Sequence, residues 1–186
     1  MLTISQIKHY ATEAAAIAEE LMGIITRYSI SVVDDPTRYE DAMFNTHTNE
    51  IIINLAALEP FQPLSSSALT RQASDPLTAR MRLILKIYFL VYHEMRHLYQ
   101  VEAVRRYQVN KMLGGKELET FESDKKCQLW LYEMSPDYEG EGVKDIEHDA
   151  DEFAWYLLSY HPYPMELKKS SRRIGVFKRK YGRKVV

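Results

Sequence analysis

The sequence predicts an α+β fold, in which a small, mostly antiparallel sheet packs on one long helix with additional helices beside it. Three observations carry that reading. Apolar residues recur at three- and four-residue spacing at the start of the chain, short alternating runs cluster between residues 28 and 54, and a long apolar-rich stretch opens at Asp75-Pro76.

Taken in order, Thr3 with Gln6 three residues later has the pattern of a capping box, which satisfies N–H groups that a helix start leaves unpaired. Ile7, Tyr10, Ala14, Ile17, Leu21 and Ile24 then give that helix one apolar face. "YSISVV" (28–33) alternates as a half-buried strand does. "AMFN" and "EIII" flank the turn-like "THTN" (46–49), which predicts a hairpin over 42–54. "NLAALEP" predicts a short helical turn, and the polar, Ser-rich segment 61–75 reads as a loop. Pro76 suits a first helical position because its missing N–H would go unpaired there anyway, so a helix is predicted from Pro76 to about Gln108. Gly114-Gly115 breaks the chain, "ETFESDKKCQLWLYEM" predicts a further helix ended by Ser135-Pro136, and "IEHDADEFAWYLLSY" predicts the last one, stopped by Pro162 and Pro164.

Composition narrows the classes of function. A chain of 186 residues, 46% hydrophobic, is large enough to bury a core, and a single domain over residues 1–166 with a tail over 167–186 is expected. The longest apolar stretch, Leu83 to Tyr92, is interrupted by Lys86 and falls far short of the about 20 residues that span a bilayer, so no membrane is expected as a partner. One cysteine, Cys127, excludes an internal disulfide, and the amino terminus has no basic start followed by an apolar run. Both point to the cytoplasm. The net charge of −2 conceals an asymmetry: nine Lys or Arg and no acid follow Glu166, which leaves −11 on the first 166 residues. A basic tail interleaved with Ile174, Val176, Phe177 and Tyr181 is a place where nucleic acid could bind. A solvated segment that offsets the acidic body is the plainer expectation.

The residues that carry chemistry lie inside the long helix, in "YHEMRHL" (92–98). Four residues apart, His93 and His97 are about 40° apart around the axis and point to one side, where two imidazoles can meet one ion. Glu94 is displaced enough to reach a ligand on that ion. In a run apolar on nearly every side, these three polar groups need partners, and a metal would satisfy them together. Two histidines leave a catalytic zinc site one protein ligand short. Gln100 and Ala103 stand where a third histidine on a continuing metal-binding loop would need glycine and histidine, so the third ligand must come from elsewhere. "EHDADEFA" (147–154) offers Glu147 and Asp151 one turn apart, of which one can bind metal while the other hydrogen-bonds a ligand histidine. His148, Asp149, His161 and Glu102 remain rivals by residue type, although Glu102 lies too far round its helix to share the ion.

HExxH followed by a downstream helix of the pattern E-x-x-A-[DN]-x-F-A resembles the glutamate zincins. In particular the chain is similar to the ImmA/IrrE-type zinc metallopeptidases and, more distantly, to CAAX-prenyl-type membrane endopeptidases, which the lack of spans disfavours. The likeness covers about Tyr28 to Tyr160. It implies a zincin-like domain with Zn²⁺ held by His93, His97 and Glu147, Asp151 hydrogen-bonded behind them, and Glu94 as the catalytic general base. It also implies hydrolysis of a peptide or protein substrate, such as a transcriptional repressor, by metal-activated water. Two features depart from the pattern: fifty residues separate His97 from Glu147, which implies an inserted element, and "YLLSYHPYP" follows the second motif.

An extended substrate is expected along the 42–54 hairpin, provided that strand 50–54 has a free edge. Tyr92, Tyr99, Tyr156, Tyr160 and His161 are the groups that could assist an oxyanion, and His47 reads as a turn residue. A non-catalytic, metal-containing module that binds a protein or nucleic acid is the competing reading. The presence of Glu94 speaks against it, since binding alone has no use for a base beside the metal.

Overall fold

The structure, a computed structural model, describes residues 2–60, 76–115, 118, 122–136, 138, 140 and 144–160. The predicted loop 61–75, the basic tail and His161 lie outside these residues. Within them run α1 (Ile4–Met22), β1 (Ser29–Val33), β2 (Ala42–Asn45), β3 (Glu50–Asn54), α2 (Pro76–Met112), α3 (Asp124–Glu133) and α4 (Asp145–Tyr160).

α1 begins as its sequence directs. The Thr3 hydroxyl accepts from the Gln6 N–H and the Gln6 side chain accepts from the Thr3 N–H, closing the capping box. The helix ends at Gly23, whose φ of 63° is the left-handed conformation that costs glycine least, and its N–H returns to the Glu19 carbonyl. Ile7, Tyr10, Ala11, Ala14, Ala15 and Ala18 form the buried stripe that packs on α2. α2 itself has neighbours on several sides (α1, the sheet, α3 and α4), so apolar residues occur around most of its circumference. It extends one turn beyond the predicted end at Gln108. α3 is shorter than its sequence pattern, because Ser123 accepts from the Lys126 N–H and so fixes the helix start there.

The sheet corrects an expectation. It is mixed, in the order β1-β3-β2, with β3 parallel to β1 and antiparallel to β2. The reason lies in β3, whose side chains Ile51 and Ile53 are fully buried and whose Ile52 is nearly so. The most apolar strand takes the centre, where both of its backbone edges are paired, and the less buried β1 and β2 take the rims. Between β2 and β3, the Asn45 side chain accepts from the N–H groups of His47 and Thr48, so His47 is part of a turn, as expected.

Because β3 is central, the chain must cross from β1 to the far rim, and one buried side chain holds that crossing. The Asn54 carbonyl oxygen accepts from the N–H groups of Asp35 and Ala56, while its amide donates to the carbonyls of Asp35 and Arg38. Every polar position of this 2%-exposed residue is used. Asn54→Ala should cost about 1–3 kcal/mol, because it removes four hydrogen bonds to partly buried backbone groups at once. Denaturant unfolding with an unchanged m-value checks this.

Candidate metal centre

α2 and α4 run side by side in opposite directions, and Ala150 and Ala154, both fully buried, line the contact. Small residues there let the two backbones approach closely. The approach brings three rungs together: His97 with Glu147, His93 with Asp151, and Phe89 with Trp155, whose ring centroids are 4.8 Å apart. Each helix contributes every fourth residue, the spacing at which side chains share a face.

The first rung holds the feature of interest. The Nε2 atoms of His93 and His97 are 3.0 Å apart, and each is 3.4 Å from the same Glu147 oxygen, Oε2. On the other side of each ring, Nδ1 has an acceptor: Asp151 Oδ1 at 2.9 Å from His93, and Gln100 Oε1 at 2.8 Å from His97. A carboxylate and an amide oxygen accept only, so both Nδ1 atoms are donors, and any ring in its neutral form then turns a bare Nε2 electron pair towards Glu147. In that form three electron-pair donors face one another, a grouping that could hold a metal ion. A tetrahedral zinc ion with bonds of about 2.0–2.1 Å spaces its ligands by about 3.3–3.4 Å, close to the triangle observed. Two imidazoles and one carboxylate are also a donor set that zinc takes.

Glu94 lies beside this triangle and is only 6% exposed. Burial pushes its carboxyl up, with the charge of Glu147 adding to the rise, against the opposing pull of His97 and His93 and a hydrogen bond from the Phe44 main chain. Hydrogen bonds from His93, then His97, hold the Glu147 carboxyl well below the usual carboxylate range. Burial works to lower His97, but the Glu147 and Glu94 carboxylates outweigh it and the net direction is upward. The seam is open: the Glu147 and Asp151 side chains remain 48% and 52% exposed. A cavity of about 340 Å³ lined by Tyr107, Asn110, Lys111 and Gln128 lies at the other end of α2, on the order of 20 Å along its axis from His97.

The rival ligands are committed elsewhere. Asp149 takes two hydrogen bonds from Arg96 (2.7 and 3.2 Å), one from Lys126 (2.9 Å) and one from Gln100 (2.8 Å). His148 points to solvent beside Glu152, and Glu102 accepts from Thr26 and Arg106. Among the tyrosines, Tyr92 is buried in an edge-on contact with Tyr88, and the Tyr99 hydroxyl donates to Glu122 while Arg96 lies over its ring. Neither is presented to the seam. Tyr156 is exposed.

Of the inserted stretch between the two motifs, the described part is a buttress. α3 buries Cys127 and Trp130 against α2, on the side of Ala103 and Tyr107. Its last residue, Glu133, accepts from the N–H groups of Asp145 and Ile146 and so caps the start of α4, two residues before Glu147. Sequence reasoning missed Glu133 and Gln100. The signal for Gln100 was present, since it lies three residues after His97 on the same helix.

Compared with family models, curated proteins and solved structures, the chain finds no match in any of the three.

The Arg96 guanidinium is stacked among Tyr99, Trp130 and Phe153, and its charge is balanced by Asp149 and Glu122. Asp149→Ala should therefore destabilise the protein by about 3–5 kcal/mol, since it leaves a largely buried cation short of its main partner. Chemical denaturation of the purified variant measures the loss.

Proposed function

We propose that this chain is a zinc-dependent metallopeptidase of the glutamate-zincin kind, with His93, His97 and Glu147 as metal ligands, Asp151 orienting His93, and Glu94 as general base. The observation that carries the proposal is the triangle of Nε2, Nε2 and Oε2 atoms, which lie within 3.4 Å of one another while both Nδ1 atoms are engaged by acceptors. Zinc held there supplies a Lewis acid, which activates water near neutral pH and polarises a scissile carbonyl.

The chain's own groups do the remaining work. A carboxylate whose proton affinity burial has raised is suited to take a proton from the attacking water and return it to the leaving amine, and Glu94 is such a group. The Phe44 main chain, hydrogen-bonded to Glu94, ties that base to the sheet. Strand 50–54 is paired on both sides, so the expectation of substrate along the 42–54 hairpin, which required a free edge there, fails. The available rim is β2. Asp41 turns its carbonyl inward to Asn54, and alternation along the strand then turns the backbone groups of Ala42 and Phe44 outward, towards α2. An extended peptide paired along this rim would pass beside Glu94. A segment of another protein, such as a transcriptional regulator, is the substrate this reading favours. No helix among the described residues is long and apolar enough to cross a membrane, and the buried, lone Cys127 suits a reducing compartment such as the cytoplasm.

A metal-containing module that only binds a partner has no need of a buried carboxylate at this position, which is why catalysis is preferred. Elemental analysis should find zinc bound by the wild type. Glu94→Gln should keep the zinc and lower peptide hydrolysis by about 100- to 10,000-fold, whereas Glu147→Ala should lose zinc affinity. A chain that takes up no zinc, or whose zinc content and hydrolysis ignore both substitutions, would overturn the proposal.

A further inference from the structure

We infer that Gln100 is a positioning residue for His97, and that the ion cluster of Arg96, Asp149 and Lys126 acts through it to fix which nitrogen His97 presents to the site. The two histidines are held differently. His93 leans on a carboxylate that is half exposed, whereas His97 leans on a neutral amide with no exposure at all. An amide can face either way, so on its own it would accept from Nδ1 or donate to it equally well. Here its direction is decided. The Gln100 Nε2 group donates one hydrogen to the Ile146 carbonyl at 2.9 Å and the other to Asp149 Oδ2 at 2.8 Å. Both partners accept only. Turning the amide over would set its oxygen against two acceptors around a fully buried side chain, so Oε1 faces His97.

Asp149 is in turn held in place from its other side, accepting two hydrogen bonds from Arg96 (2.7 and 3.2 Å) and one from Lys126 (2.9 Å). Lys126 belongs to α3, and Ile146 belongs to the turn of α4 that Glu133 caps. The docking of α3 is thereby transmitted to a single imidazole: α3 helps to hold Asp149, Asp149 holds the Gln100 amide, and the amide holds the Nδ1 hydrogen of His97. A neutral orienting group also differs from a second carboxylate in its effect on the ion. With Glu147 and Asp151 already bringing two negative charges, an amide on His97 adds none and leaves more of the metal's charge for the reaction.

The functional meaning of this arrangement rests on the zinc reading, but its test does not. In zinc-free wild-type protein, at a pH above the imidazole transitions that the spectra themselves display, histidine ¹⁵N spectra should place the His97 hydrogen on Nδ1. In Gln100→Met, which matches the length of the side chain and removes its oxygen, a large share of that hydrogen should move to Nε2, while His93 keeps its hydrogen on Nδ1. Zinc affinity, measured by competition with a chelator, should fall about 10- to 100-fold. A wild-type His97 that carries its hydrogen on Nε2 overturns the inference, and so does a tautomer that ignores the substitution. The wild-type spectrum alone decides the matter if Gln100→Met does not fold. A tautomer that shifts as expected in a protein that never binds zinc supports the positioning role and removes the metal reading instead.

Discussion

The close antiparallel contact of α2 and α4 is the constraint on which the rest of the structure depends. It forces two imidazoles and a carboxylate to within 3.4 Å of one another, an arrangement that three electron-pair donors resist unless something positive lies between them. Ala150 and Ala154 make the approach sterically possible, and the apolar face that continues through Leu157 and Leu158 supplies burial to hold it. What the seam costs in mutual repulsion, the surrounding core must offset.

The elements around the seam each remove one freedom from it. α3 caps α4 through Glu133 and so fixes where along α2 that helix begins. Arg96, enclosed by three aromatic rings, pins Asp149 and with it the rotation of α4 about its own axis. On the opposite side of α2, the sheet brings Phe44 to Glu94, and α1 packs along the helix that carries all three residues of the motif. Start, rotation and backing are thus set by three different contacts. None of them touches the three facing donor atoms.

Legibility in the sequence followed the range of the interaction. His93, Glu94 and His97 could be placed because a helix dictates their directions locally, and Glu147 and Asp151 because they repeat the same four-residue spacing. The capping box at Thr3 and the turn at Asn45 were readable for the same reason. The role of Glu133 was not readable, and that of Gln100 only in its nearness to His97, since the capped helix start 12 residues on and the amide's acceptors 46 and 49 residues away are brought in by packing alone. Sheet order failed for a related reason. Alternation in "YSISVV" predicts a strand but carries no information about direction, and the parallel pairing of β1 with β3 follows from the need to bury "EIII" at the centre.

Consecutive residues of α4 show how one helix can serve two ends without conflict. Each step along it turns the side chain by about 100°, so Glu147 and Asp151 fall on one flank of the Ala150/Ala154 contact while Asp149 and Phe153 fall on the other. α2 presents a matching surface, with His93 and His97 on one flank, Arg96 on the other, and Gln100 between them. The acid-rich "EHDADE" is therefore two interleaved sets: one half-exposed at the seam and facing the imidazoles, the other largely buried and matched by Arg96 and Lys126. A shift of α4 by two residues would put Glu147 where Asp149 sits and Asp149 where Asp151 sits, drawing one carboxylate away from the imidazoles and the other away from Arg96 and Lys126. The cost of that exchange is what gives the seam a single register, and Gln100, bonded to His97 on one flank and to Asp149 on the other, is where the two flanks are joined.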